Sequence, residues 1–104
     1  MNVYIINHST YGYQEGEFST ETEVFESLES AQAYFALMKI NIIDEYLHYA
    51  EVESVYDMDE DLFYMDDERT MDNMDYLYID YDDYGWDKLR IIKKPVMAFN
   101  MEEC

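Results

Sequence analysis

The chain is 104 residues long, enough for one small domain, and sets 25 Asp and Glu against only 6 Lys and Arg, a formal charge of −19. So acidic a balance excludes direct binding to DNA, RNA or an anionic membrane, because each requires a basic footprint. An apolar fraction of 49% and an aromatic fraction of 17%, with 12 tyrosines, set the chain apart from disordered sequences, so it reads as a folded, self-repelling domain.

Residues 2–7 (NVYIIN) are β-branched and aromatic and predict a strand. A turn-rich HSTYGYQEG follows, then EFSTETEVF over 17–25. There Phe18, Thr20, Thr22 and Val24 share one side of a pleat while the glutamates share the other, which predicts a second strand antiparallel to the first. Over about 28–49 the apolar positions Leu28, Ala31, Phe35, Met38, Ile42, Tyr46 and Tyr49 recur at steps of three and four. This predicts one long amphipathic helix, with Ser27 as its N-cap and Glu29 in its first turn. Residues 50–75 lack strand alternation and contain neither Gly nor Pro. An irregular segment is expected there, with a short helix anchored by Leu62, Phe63 and Met65. YLYIDY (76–81) and a strand over about 87–93 close the chain as a hairpin around DDYGW, the last strand interrupted at Pro95. Pairing Asp82 with Lys88 and Asp80 with Arg90 would place opposite charges across one face and Tyr81–Leu89 and Ile79–Ile91 on the other. In that register the strand acids neutralise the C-terminal cations locally. The expected architecture is α+β: a single domain spanning 1–104, with an antiparallel sheet of two hairpins packed on one helix and the acidic segment exposed.

The inventory for chemistry is thin. The one cysteine is Cys104, so no disulfide or CxxC motif can form. Three glycines, Gly12, Gly16 and Gly85, cannot build a phosphate-cradling loop, and His8 and His48 lie in separate elements without metal-ligand spacing. No nucleophile sits beside a base and an orienting group. The expectation is therefore a protein that is not an enzyme and needs no cofactor. The N-terminus lacks a basic n-region, and no long apolar run occurs, so a cytoplasmic protein without membrane association is expected.

The charge is not evenly spread. Between Asp44 and Asp75 stand 13 acids opposed only by Arg69, whereas residues 88–100 hold four cations and no acid. A calcium loop is one explanation, since Asp57, Asp59, Asp61 and Glu68 fall at positions 1, 3, 5 and 12 of an EF-hand. It fails at position 6, where the sharp turn needs Gly and the chain has Leu62. The other explanation is mimicry of nucleic-acid phosphates. Acids two apart in extended chain, such as Asp57, Asp59 and Asp61, sit about 6.6–6.8 Å apart. Acids three or four apart in a helix, such as Glu68, Asp72 and Asp75, have Cβ atoms about 5–6 Å apart. Both spacings approximate the phosphate repeat of a strand. The candidate partner-binding set is Glu51, Glu53, Asp57, Asp59, Glu60, Asp61, Tyr64, Asp66, Asp67, Glu68, Asp72 and Asp75, with interleaved tyrosines suited to a protein interface.

In size, charge and Asp/Glu/Tyr patterning, most clearly over 44–87, the chain resembles the small acidic proteins that bacteriophages and mobile elements encode against host defence. These include anti-CRISPR proteins, DNA-mimic anti-restriction proteins and uracil-DNA glycosylase inhibitors. The resemblance implies stoichiometric inhibition: the protein would occupy the DNA- or guide-binding cleft of a nuclease in the cytoplasm of a bacterial host cell. The expected partner is a basic nucleic-acid-binding protein, in an oligomeric state that the pattern leaves open. Two alternatives stand beside this expectation, a calcium-binding module and an acidic assembly or adaptor protein that docks a basic partner.

Overall fold

In the computed structural model, which describes residues 1–13, 16–70, 74–81 and 84–96, the first and last strands of the chain lie side by side. The elements run β1 (Asn2–Gly12), β2 (Glu17–Phe25), α1 (Leu28–Ala50), a short 3-10 turn (Val55–Asp57), β3 (Phe63–Arg69), β4 (Asp75–Tyr81) and β5 (Gly85–Pro95). They form one sheet of order β2-β1-β5-β4-β3 in which every neighbouring pair is antiparallel. Pairing of β1 with β5 joins the two expected hairpins, and β3 adds a fifth strand beside β4.

Helix α1 starts where the sequence places it. Ser27 has extended backbone, and its hydroxyl accepts from Ser30 N at 3.1 Å, satisfying one orphan donor of the first turn. Of the predicted stripe, Ala31, Phe35, Ile42 and Tyr46 are buried, against Ile6, Leu77, Ile79, Leu89 and Ile91 of the sheet. Each such aliphatic side chain contributes about 1.5–3 kcal/mol on burial. The helix covers one face of the sheet and leaves the other open.

Three expectations need correction. Residues 63–69 form a strand, not part of a helix. Phe63 and Met65 do alternate toward the helix side, but the next inward position is Asp67, whose carboxylate pairs with Lys39 of α1. A charged residue at an inward position hid the period of two. Strand β1 runs to Gly12 rather than stopping near Asn7, because β2 and β5 pair with its backbone on both sides.

The β4–β5 register is also different: Tyr76 faces Arg90, Leu77 faces Leu89, Tyr78 faces Lys88 and Tyr81 faces Gly85. Face parity is as expected, but the pairing is shifted and β5 starts at Gly85. That residue has φ 144°, and a Cβ there would lie 1.9 Å from the Tyr11 carbonyl oxygen, so only glycine allows β5 to run this close to β1. Asp80 therefore faces Trp86, and Asp82 lies outside the described residues. Hydrophobic burial set the parity; the expected pairing of Asp80 with Arg90 does not form. None of the three ion pairs among the described residues involves Lys88, Arg90, Lys93 or Lys94.

Candidate functional site

The acids of the expected site are divided among three places. The first is the segment between α1 and β3. Glu51 closes the helix in the left-handed conformation (φ 58°), its N–H donating to the His48 carbonyl while Val52 N donates to Leu47 O. Ser54 then caps the 3-10 turn by accepting from Tyr56 N. Half-buried Val52 and buried Met58 pack on the core, which leaves Glu51, Glu53, Asp57, Asp59, Glu60 and Asp61 exposed. Asp59 Oδ1 accepts from Asp61 N at 3.0 Å, and its carbonyl accepts from Leu62 N and Phe63 N. These bonds fold residues 59–63 into turns, so the extended spacing expected for Asp57, Asp59 and Asp61 holds only across Met58, whose backbone is extended (φ −71°, ψ 148°), and is lost beyond Asp59.

The second place is the helix side of β3 and β4. Asp67 pairs with Lys39 there. Asp75, only 7% exposed, receives Arg69 Nε at 2.5 Å and Nη2 at 3.3 Å. The hydrogen bond and charge of Asp75 hold the Arg69 guanidinium above its ordinary pKa. Asp75 is consumed in this pair and cannot serve a partner. A shallow groove lies between α1 and these residues, and its two cations, Lys39 and Arg69, are already paired.

The third place is the open sheet face, which carries Tyr64, Asp66 and Glu68. Glu68 and Asp75 thus point to opposite sides of the sheet, and the helical spacing expected of Glu68, Asp72 and Asp75 does not arise; Asp72 itself lies outside the described residues. Nor does the calcium arrangement form. Asp57 sits in a 3-10 turn and Glu68 in a strand, and among the described residues no three acidic, His or Cys side chains converge on a common point.

The open face holds what the sequence reading missed. Each strand contributes one aromatic ring to a row across the sheet: Tyr64, Tyr78, Trp86, Tyr11 and Phe18. Ring centroids lie 5.9 Å apart for Tyr64–Tyr78, 6.3 Å for Tyr78–Trp86, 6.2 Å for Tyr11–Trp86 and 5.9 Å for Phe18–Trp86, all within the range of favourable aromatic contact. Phe18 and Val24 are more than 60% exposed on this side, the reverse of an ordinary amphipathic strand. On β5, Lys88 and Arg90 lie between the β3–β4 side, which carries Asp66, Glu68 and Asp80, and Ser9 and Asn7 of β1, while Lys94 lies farther along, opposite Val3. Partial burial, followed by the carboxylates of Asp66 and Glu68 for Tyr76 and of Asp80 for Tyr78, raises both tyrosine pKa values, so both hydroxyls stay neutral. The signal was present in Trp86-x-Lys88-x-Arg90 and Tyr76-x-Tyr78, a period of two with aromatics where a solvated face would carry short polar residues.

Among the described residues, the open face carries three acids and three cations; the rest of the protein carries sixteen acids and three cations. The imbalance therefore belongs to the loops, the helix and the helix side of the sheet.

Beneath the helix, His8 Nε2 lies 2.7 Å from Asp87 Oδ1, and the Tyr46 hydroxyl donates to Asp87 Oδ2 at 2.8 Å. Burial and the Asp87 charge push the Tyr46 pKa far up. With Tyr46 1% and Asp87 7% exposed, this network is closed to substrate, and its members satisfy one another. No described helix is long and apolar enough to cross a membrane. Comparison with family models, with curated proteins and with solved structures returned no match to this chain.

Proposed function

We propose that the protein is a stoichiometric inhibitor whose carboxylates take the place of nucleic-acid phosphates in the basic cleft of a host defence nuclease, a CRISPR effector or a restriction enzyme. One observation carries the reading: the six exposed carboxylates of residues 51–61, none held in an ion pair among the described residues, sit on a segment anchored by Val52 and Met58. An anchored array loses less conformational entropy on binding than a free acidic tail. A cleft built for DNA gains from it the same charge neutralisation that phosphates provide. The reading needs no catalytic residue and no cofactor, and it places the protein in the cytoplasm of a bacterial cell. The assembly or adaptor reading draws on a different feature, the exposed aromatic face, and differs in that nucleic acid would not displace its partner.

The test is capture from bacterial lysate on immobilised protein, followed by elution with excess duplex DNA or RNA. The expected result is a nuclease released by nucleic acid and by salt, and lost when Asp57, Asp59 and Asp61 are all changed to Lys. Partners that stay bound in excess nucleic acid, or that the triple variant captures equally well, would overturn cleft mimicry.

A further inference from the structure

We propose that the open sheet face binds a second copy of this chain, with Lys88 and Arg90 on β5 of one copy meeting Asp66 and Glu68 on β3 of the other across a twofold axis that runs along β4. The proposal stands apart from the inhibitor reading, whose carboxylates lie outside the sheet.

The cross-strand register supports it. One row across the face reads Glu68, Tyr76, Arg90, and the next reads Asp66, Tyr78, Lys88. Each row has its tyrosine in the middle strand and opposite charges one strand away on either side. A twofold axis parallel to the strands and passing over β4 exchanges β3 with β5 and keeps the position along the strand. It therefore sets Glu68 over the partner's Arg90, Asp66 over the partner's Lys88, and each central tyrosine over its own copy. Interfaces of this symmetry must be self-complementary, and these two rows are. Sheets stacked face to face align within about 30°, so the rows near the axis stay matched. Asp80 is the exception, because it lies on β4 and meets its own copy; the Tyr13 hydroxyl donates to it at 3.1 Å.

Net charge selects the same face. Two molecules of charge −19 repel, but beyond about 10 Å salt screens that repulsion, so the local balance decides which surfaces can touch. In the overlap Asp66, Glu68 and Asp80 stand against Lys88 and Arg90, close to neutral, unlike the remaining surface. With the axis over β4, the overlap spans β3, β4 and β5; three strands at about 4.8 Å and seven rows at about 3.3 Å give ~330 Å² per copy, less than the ~800 Å² per partner of a standard interface, which makes this a weak, concentration-dependent dimer. Tyr64 on β3 and Trp86 on β5 share the row of Asp80, so each copy's Tyr64 meets the partner's Trp86 and, with the central Tyr76 and Tyr78, supplies the apolar contact.

Charge-swapped variants examined by sedimentation equilibrium, from micromolar to millimolar protein, test the proposal. The wild type should run as a concentration-dependent dimer. Lys88→Asp with Arg90→Glu should weaken self-association by at least about a hundredfold, as should Asp66→Lys with Glu68→Arg, since each homodimer then opposes like charges. Mixing the two double variants should restore a heterodimer, and all four changes in one chain should restore the homodimer; far-UV circular dichroism checks that each variant is folded. A wild type that stays monomeric throughout overturns the proposal, as do folded double variants that still dimerise or a mixture that does not associate. If the wild type is monomeric and oligothymidine quenches Trp86 fluorescence, the face is a stacking platform for single-stranded nucleic acid instead, and the dimer is likewise overturned.

Discussion

Replacing Tyr46 by phenylalanine isolates the buried polar network at almost constant shape. The ring keeps its place beneath the helix, so no cavity opens, and the change removes one hydroxyl that donates to Asp87 Oδ2 at 2.8 Å. A hydrogen bond to a charged acceptor contributes about 1.5–3 kcal/mol, and among the described residues Asp87 keeps His8 as a side-chain partner. At neutral pH the variant should lose about that amount, a fall of about 10 °C in melting temperature for a domain of this size. The pH dependence makes the prediction specific. Burial keeps Tyr46 protonated in the folded protein well above the value at which it ionises when unfolded, about pH 10. The unfolded chain therefore releases this proton first, and wild-type stability is fully present below about pH 10 and falls above it. The slope is about 1.4 kcal/mol per pH unit for one group. The Tyr46→Phe variant has no such proton, so the gap between variant and wild type should close between about pH 11 and 12. Ionisation of the other tyrosines affects both proteins alike and cancels in the difference. Urea titrations at a series of pH values from neutral to alkaline measure it. Equal stability at pH 7, or a gap that stays constant through the alkaline range, would refute the reasoning.

Gly85→Ala should destabilise the fold by on the order of 3 kcal/mol, because it combines a positive φ with a Cβ driven into the Tyr11 carbonyl; a urea midpoint equal to wild type would show that β1 and β5 separate there without cost. Added salt should raise the melting temperature steadily from about 0.01 M to about 1 M, because screening weakens the self-repulsion of the −19 charge. A falling melting temperature in scanning calorimetry would mean that the ion pairs of Lys39 and Arg69 outweigh that repulsion.

Dividing the expected acidic site changes how its residues can be used. Of the twelve residues read as one patch along the chain, eleven resolve into an anchored segment at 51–61, two carboxylates consumed by Lys39 and Arg69, and a set on the open face beside Lys88 and Arg90; the twelfth, Asp72, lies outside the described residues. Distance along the chain could not reveal this, because β3 carries Asp66 and Glu68 to one side of the sheet and Asp67 to the other.

Local chemistry made several features legible before folding is considered. The stripe from Ala31 to Tyr46 and the Ser27 cap define α1, since a helix obeys a period and an end condition written in neighbouring residues. The parity of β2, β4 and β5 follows likewise from alternation. Tertiary structure alone decided the rest. Strand β3 exists because β4 supplies its backbone partners and Lys39 of α1 compensates its inward Asp67. Strand β5 runs close to β1 at its first residue because Gly85 has no Cβ to meet the Tyr11 carbonyl. The row of five rings exists because strands far apart in the chain align their outward positions. Each of these is a pairing between distant residues, and its free energy comes from contacts that form only once the chain has closed.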